Sequence, residues 1–206
     1  MPKFLNISDL RTYSPKDQHY FLDANVWIFA LNDFSSTDDV QKHYSKIFFK
    51  LFEKNNPQSK VLVCSLLISE IINTYMRVVA LNKLRMKVYN GRLPEKFDFK
   101  RDYRNRHKKH YTENLETIAD NISTLLKKDQ IVKIIDDNGH QMLLEKQVVE
   151  SCPAHLDFND YYYYELLKSL NLPSKLSIIT HDSDWKIEDI EIITIEKNLL
   201  NLRSYA

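Results

Sequence analysis

Glycine and cysteine are scarce in this chain, and their scarcity excludes several kinds of site. With two glycines in 206 residues, the chain has no room for the Gly-rich loops that cradle phosphates in many nucleotide-binding proteins. Cys64 and Cys152 lie too far apart in sequence for a zinc-binding spacing or a disulfide framework. We therefore expect both thiols to be reduced and structural.

Long apolar runs are missing as well. No run approaches the ~18 residues that a membrane span requires, and residues 1–15 lack the apolar core of a signal peptide. The sequence therefore predicts no membrane partner and a cytoplasmic location. The composition, 43% hydrophobic and 28% charged, is typical of a soluble globular protein.

The apolar residues follow two alternating patterns. Short apolar runs typical of buried parallel strands alternate with segments in which apolar residues recur at helical spacing. This alternation favours an α/β fold with a mostly parallel sheet, and 206 residues suit a single domain. Residues 1–19 show no clear period. The first predicted strand ends at Leu22, and the other predicted strands cover 61–64, 131–135, 176–179 and 190–195. The predicted helices cover 26–31, 38–54, 66–84, 112–128, 142–152 and 161–170.

Acidic residues recur where predicted strands give way to helices. Asp23 ends the first strand, and Glu70 lies in the helix after the second. Asp160 opens a later helix, and Asp182 ends a later strand, with Asp184 two residues on. Because successive parallel strands end at the same edge of a sheet, we expect these carboxylates to converge there.

A cluster of ionised carboxylates repels itself, and one or two hard cations would resolve the repulsion. Oxygen-only ligands suit Mg²⁺ or Mn²⁺. Such metals polarise a phosphoryl oxygen and activate water for in-line attack. Because no residue resembles a nucleophile with a paired base, the acids point to metal-assisted phosphodiester hydrolysis.

Several of these residues also have a purely structural interpretation. Asp23 could cap the following helix, and Asn25 could either cap it or orient Asp23 as a hydrogen-bond donor. Ser65 is placed to cap the helix that carries Glu70, or to support the acids with its hydroxyl. Thr180 is either an ordinary strand-end residue or a hydroxyl that binds substrate or supports a ligand.

The remaining acids allow similar alternatives. Asp157 and Asp160 lie three residues apart, and we favour Asp157 as the helix cap and Asp160 as the metal ligand. Asp182 and Asp184 could instead form an ordinary Asx turn. His181 is expected to be exposed and inert, because nothing pairs with it in sequence.

Positive charge is concentrated in one segment. The net charge of the chain is +1, but residues 77–110 carry 12 Lys and Arg against three acids, a net charge of +9. Basic residues bind phosphates, and the aromatic residues between them can stack on unpaired bases. The segment could equally be a solvated extension whose aromatic residues pack onto the core, or a surface for an acidic partner or a second subunit. We favour nucleic-acid contact, through Arg77, Arg85, Arg101, Arg104, Arg106, Lys108 and Lys109.

Taken in order, these motifs resemble the PIN-domain family, the fold of many small metal-dependent ribonucleases, including VapC-type toxins. The matching pieces are Phe-Leu-Asp-Ala-Asn at 21–25, Ser-Leu-Leu-Ile-Ser-Glu at 65–70, Asp160 at the start of its helix, and Ile-Ile-Thr-His-Asp-Ser-Asp-Trp at 178–185. The resemblance covers about residues 20–196 of a single domain, 1–206. It implies a three-layer α/β/α sandwich with about five strands, to which about 77–130 adds a basic helical elaboration.

The resemblance also implies an activity, Mg²⁺- or Mn²⁺-dependent endoribonuclease, with RNA as the substrate. If it extends to the toxin branch, a small antitoxin protein would block the site, and homodimers are common in that branch. The catalytic residues and metal ligands would be Asp23, Glu70, Asp160 and Asp182, with Asp184 as an accessory metal-binding acid.

The chain departs from the family pattern in two places. Residues 85–130 are longer than a minimal member needs, and the helix after Asp160 begins with four Tyr where small apolar residues are usual. Two other functions stay open beside RNA hydrolysis. One is a non-catalytic binding module for nucleic acid or protein that keeps the fold, and the other is a structure-specific DNA nuclease, because related folds cut DNA flaps.

Overall fold

The strand that ends at Leu22 occupies the middle of the sheet. In the computed structural model, which describes residues 5–6, 15–32, 38–53, 60–137, 150–187 and 189–196, this strand (β2, His19–Leu22) has a parallel neighbour on each side. Phe21 lies opposite Ile178 on one side and Leu62 on the other. All four residues of β2 are buried, as expected for an inner strand of a parallel sheet.

The other described strands are also parallel to their neighbours. They are β1 (Leu5–Asn6), β3 (Val61–Val63), β4 (Val132–Ile134), β5 (Leu176–Ile179) and β6 (Glu191–Thr194). Their order in the sheet is β1-β6-β5-β2-β3-β4. From β2 the chain moves to β3 and β4 on one side and then returns to β5 and β6 on the other. This reversal places a topological switch point between β2 and β5, where open α/β sheets bind ligands.

Helices connect the strands. Within the described residues the α-helices are α1 (Ala24–Leu31), α2 (Asp39–Glu53), α3 (Ser65–Tyr75), α4 (Leu81–Tyr89), α5 (Lys108–Leu126) and α6 (Phe158–Ser169). A π-helical turn, Met76–Ala80, joins α3 to α4, and a π-helical segment, Phe99–Arg106, precedes α5. The chain is therefore an α/β protein with a parallel sheet, an arrangement compatible with the predicted three-layer sandwich. In the part of the chain described, no helix combines the length and apolarity needed to cross a membrane.

The observed elements follow the predicted ones, with a few differences at the ends. The helix predicted to end near Leu84 continues to Tyr89, where Asn90 (φ 49°) and Gly91 (φ 88°) take left-handed conformations that end it. Residues 1–19 show no clear period in sequence, and yet β1 lies within them. A two-residue strand at the edge of the sheet does not need an apolar run. The predicted helix 142–152 lies for the most part outside the described residues.

The aromatic residues of the basic segment pack against one another. Tyr103 is fully buried, with its ring centroid 5.3 Å from that of Phe99 and 5.4 Å from that of Tyr111. Tyr89 and Phe97 form a second edge-to-face pair at 5.9 Å. Of the two roles considered for these rings, the structure shows packing of the extension, and buried Tyr103 is not available to stack on bases.

Candidate carboxylate site

Asp23 lies buried at the switch point, with 5% of its surface exposed. Its backbone N–H donates to the carbonyl of Ile179 at 3.0 Å, so the pairing of β2 with β5 continues to this residue. Asp23 occupies the N-cap position of α1, yet its side chain makes no capping hydrogen bond. The interpretation of Asp23 as a helix cap is therefore wrong, and its carboxylate is directed to other partners.

Two side chains bind the same oxygen of Asp23. Thr180 Oγ1 donates to Asp23 Oδ2 at 2.6 Å, and Asn25 Nδ2 donates to it at 2.7 Å. Asn25 Oδ1 accepts the N–H of His181 at 3.2 Å, and Thr180 Oγ1 accepts the N–H of Asp182 at 2.9 Å. Asn25 and Thr180 therefore orient Asp23 and, at the same time, fix the loop that follows β5.

Asp160 approaches the same place from α6. Its backbone N–H donates to Asp157 Oδ1 at 2.9 Å, so Asp157 caps the helix and Asp160 lies in its first turn, the division of roles that the sequence favoured. Asp160 is 7% exposed, and its carboxylate accepts no hydrogen bond from any described residue. In that part of the chain only Trp185 Nε1 is a fully enclosed polar side-chain atom without a partner, so the oxygens of Asp160 keep some contact with solvent.

Burial and mutual repulsion raise the pKa values of the two buried acids. Burial, with added repulsion from the charges of Glu70 and Asp182, raises the pKa of Asp23 to about 7. Burial, followed by the charge of Asp23, raises the pKa of Asp160 to about 9, and Asp182 and Glu70 add to this effect. Glu70 and Asp182 therefore lie near enough to both buried acids to raise their pKa values.

Glu70 is oriented by a buried tyrosine. Tyr163 Oη donates to Glu70 Oε2 at 2.6 Å, and the Tyr163 ring packs on Phe21 of β2 with 5.1 Å between centroids. Burial raises the pKa of Glu70, although the hydrogen bond from Tyr163 opposes that rise. The tyrosines after Asp160 thus fill the space beside β2, and one of them holds an acid of α3. The sequence analysis gives Tyr163 no role in the site. The signal that could have identified it is its position three residues after Asp160.

The acids after β5 form a tight turn. The backbone N–H of Asp184 donates to Asp182 Oδ1 at 3.0 Å, which is the Asx turn considered above. The charge of Asp182 still acts on Asp23 and Asp160, so Asp182 belongs to the cluster. Asp184 is exposed, accepts a hydrogen bond from Ser183 at 3.2 Å, and is not among the main charges acting on the buried acids.

Ser65 does not cap its helix. α3 begins at Ser65, with Cys64 in the N-cap position, so the predicted capping role is wrong. Ser65 Oγ instead donates at 2.5 Å to Asp137 Oδ2, which follows β4 and also accepts the next backbone N–H at 2.9 Å. Tyr162 donates its hydroxyl to the carbonyl of Asp137. An acid from the adjacent strand therefore caps the helix that carries Glu70, a contact that local sequence cannot reveal.

A buried tyrosine of α2 ties the ends of β5 and β6 together. Tyr44 Oη donates to the carbonyl of Thr180 at 2.7 Å and accepts the N–H of Ile195 at 3.1 Å. His181 packs against the Tyr44 ring with 5.4 Å between centroids, and its Nε2 lies 3.8 Å from a carboxylate oxygen of Glu196. The expectation that His181 is exposed is therefore wrong, because the residue is half-buried.

The donor set suits a hard divalent cation. Asp23 Oδ1, Glu70 Oε1 and the Asp160 carboxylate have no side-chain donor in the part of the chain that is described. Carboxylate oxygens are the ligands that Mg²⁺ and Mn²⁺ prefer. In the same part of the chain, no group of three or more His, Cys, Asp or Glu side chains is arranged so that it could hold a metal ion. The fit therefore rests on the chemistry of these oxygens.

Two of the predicted nucleic-acid-binding residues are engaged within the extension. Arg101 and Arg106 both pair with the buried Asp102, at 2.7 and 3.1 Å, and the hydrogen bond from Arg101 lowers the pKa of Asp102 to about 2. Lys109 lies 3.9 Å from Glu113 on the exposed surface of α5. Arg101 and Arg106 therefore stabilise the π-helical segment, whatever else they contact.

Three of the other predicted basic residues have neutral partners. The guanidinium of Arg77 lies 4.9 Å from the centre of the Phe99 ring, and that of Arg104 lies 5.7 Å from the centre of the Tyr111 ring. Arg85 donates to Asn82 Oδ1 at 2.5 Å, and Lys108 is exposed at the start of α5. Among the described residues, none of these four cations pairs with an acid, which leaves their charge open to phosphate contacts.

Comparison of the chain with protein-family models, curated proteins and solved structures gives no match. The family relationship therefore stays a prediction from the sequence motifs, and the function has to be argued from the site itself.

Proposed function

We propose that this protein is a PIN-like, metal-dependent nuclease that hydrolyses phosphodiester bonds of RNA. One observation supports the proposal: Asp23 is buried at the switch point, Thr180 joins it to the backbone of Asp182, and Glu70 and Asp182 raise the pKa values of Asp23 and of buried Asp160. Buried carboxylates that repel one another are costly for the fold alone. A bound cation would offset that cost, because its positive charge reduces the repulsion between the carboxylates.

The residues of the chain have separable roles in this proposal. Mg²⁺ or Mn²⁺ bound by the four carboxylates would polarise a phosphoryl oxygen and activate water. Asn25 and Thr180 hold Asp23 through one carboxylate oxygen, Oδ2. Tyr163 does the same for Glu70. This support fixes the direction of each acid before substrate arrives, which is what positioning in catalysis requires.

RNA is the proposed substrate because positive charge is concentrated in the segment that follows the helix of Glu70. The basic segment carries a net charge of +9, and several of its cations have no acidic partner in the described part of the chain. The likeness to the toxin branch extends the proposal to a cytoplasmic protein with a small antitoxin partner and a homodimeric state. An antitoxin gene in the neighbouring reading frame would support the toxin assignment, and its absence would oppose it.

A non-catalytic binding module is the second candidate. It is favoured by the hydrogen bonds that already satisfy part of the cluster, because Asp23 Oδ2 accepts from two side chains and Asp182 Oδ1 accepts a backbone N–H. Such a protein would keep the acids as a structural network. It would neither cut nucleic acid nor require metal.

Cleavage of a mixed-sequence RNA with Mn²⁺, Mg²⁺ or EDTA separates the two candidates. We expect metal-dependent cutting that falls at least 100-fold in Asp23→Asn and Asp182→Asn, because each loses a metal-binding charge. Asp120→Asn, which removes the same charge from the exposed side of α5, should cut like the wild-type protein. Single-stranded DNA and flapped duplex in parallel reactions test the DNA nuclease. Wild-type protein that cuts no substrate, or mutants that cut equally well, would reject the catalytic proposal.

A further inference from the structure

A cavity that could serve as a second binding site lies beside the helical run from Met76 to Tyr89. It is an open cavity of about 690 Å³, within the range of sites that bind small organic ligands. No residue of the carboxylate cluster lines it, and the residues that do line it come from the ends of α1 and α2 and from the region 77–93. The cavity is therefore distinct from the candidate carboxylate site.

The charged side chains that the described residues contribute to the cavity are of one sign. Within that part of the chain, Arg77, Lys83 and Arg85 line it and no acidic side chain does. The contacts of Arg77 and Arg85 in the described residues are with neutral groups, the Phe99 ring and the Asn82 amide, which orient the guanidinium groups without neutralising them. The site therefore suits an anionic ligand, and guanidinium groups favour phosphate in particular.

The rest of the wall is suited to a flat polar ring. Asn32, Gln41 and Asn82 supply amide groups, each of which can both donate and accept hydrogen bonds. Val78 and Leu93 supply apolar surface, and Val78 is 57% exposed although it is aliphatic. Apolar surface together with amides and guanidinium groups is the combination that contacts the face, the edge and the phosphate of a nucleotide.

We propose that this cavity binds a nucleoside phosphate, either as a free mononucleotide or as one unpaired nucleotide of a single-stranded RNA. Phosphate oxygens lie against Arg77 and Arg85, and the base lies against Val78 within reach of the amides. Binding of the free nucleotide does not depend on the proposed nuclease activity. Binding of the RNA strand rests on the proposed function, because the strand is then the nuclease substrate.

The test measures binding without cleavage. Fluorescence anisotropy of labelled AMP and of a labelled ten-nucleotide RNA is recorded in EDTA, with the full chain carrying Asp23→Asn so that the RNA stays intact. We expect saturable binding of at least one probe, weakened about tenfold or more by Arg85→Ala, which removes a charge-assisted contact. Val78→Glu, which places a carboxylate on the exposed wall, should abolish the signal. Lys87→Ala removes the same charge from an exposed position of α4 that does not line the cavity, and should change binding less than threefold.

Each outcome decides the proposal. Saturable AMP binding lost in Arg85→Ala supports a free-nucleotide site, and saturable binding of RNA alone, lost in the same variant, supports a site for one nucleotide of a strand. Binding of neither probe overturns the proposal, and so does equal weakening by Arg85→Ala and Lys87→Ala, because that result indicates diffuse surface charge. Since the assay contains no metal and the catalytic acid is replaced, a failure here leaves the RNA cleavage result unaffected.

Discussion

At the scale of single residues, the direction of each acid is set by the donors around it. Asp23 and Glu70 each accept side-chain hydrogen bonds through one oxygen only, so the second oxygen is directed elsewhere. Asp160 has no such donor in the described residues, which agrees with its strongly raised pKa. The three acids therefore differ in how firmly they are held, and the hydroxyl of Tyr163 is the support that mutation can remove most selectively.

Removing that hydroxyl should weaken metal binding more than it weakens the fold. Tyr163→Phe keeps the ring that packs on Phe21 but removes the donor to Glu70. We expect the free energy of unfolding to fall by about 1 kcal/mol, the usual cost of one buried hydrogen bond. The Mn²⁺ concentration that half-saturates the thermal stabilisation should rise about tenfold, because Glu70 is no longer oriented.

Tyr164→Phe is the matched control for this substitution. It makes the same chemical change one residue along the helix, where the hydroxyl donates to Asp189 at 3.0 Å on the exposed surface. Its metal requirement should equal that of the wild-type protein. Equal metal requirements in the Tyr163 and Tyr164 variants would show that the phenol has no part in orienting Glu70.

At the scale of elements, α6 depends on two acids three residues apart that act in opposite ways. Asp157 stabilises the helix by accepting the N–H of Asp160, and its charge also adds to the repulsion on the Asp160 carboxylate. Asp157→Ala should lower the free energy of unfolding by about 1 kcal/mol, because it removes the cap. Asp157→Asn keeps a good capping side chain and removes the repulsive charge, so it should unfold at the same urea concentration as the wild-type protein or a higher one. Urea denaturation in which Asp157→Asn loses as much stability as Asp157→Ala would exclude the capping role.

The elements show what the sequence can predict and what it cannot. β3 is a run of three apolar residues, and three of the four residues of β5 are apolar, so the sequence alone predicts both as buried strands of a parallel sheet. The convergence of Asp23 with Asp182 was predictable as well, because strand ends meet at one edge. The cap of α3 was not, because Asp137 reaches Ser65 across 72 residues of chain. Neither was Tyr163, because a tyrosine on a buried helix face is normally read as packing.

At the scale of the whole molecule, folding is linked to proton binding by the buried acids. The pKa of Asp160 rises from 3.8 to about 9, and that of Asp23 from 3.8 to about 7. Between pH 3.8 and pH 9 the folded chain binds more protons than the unfolded chain, so the free energy of unfolding falls as pH rises. We expect metal-free protein to lose stability from pH 5 to pH 9. Asp160→Asn, which cannot ionise, should flatten this dependence and be more stable than the wild-type protein at pH 8.

Divalent cations should reverse that dependence, because protons and metal compete for the same oxygens. Urea unfolding at pH 6, 7 and 8, with EDTA or saturating Mn²⁺, measures both effects on one protein. A nuclease of the proposed kind gains more stability from Mn²⁺ as pH rises, since ionised carboxylates bind metal and protonated ones do not. Asp160→Asn should show a weaker pH dependence, because Asp23 still titrates, and should lose the response to Mn²⁺, whereas Asp120→Asn should keep both. A wild-type protein that shows the pH dependence but no response to Mn²⁺ would contain the buried acids as a structural network, and the binding module would then be the better account of this fold.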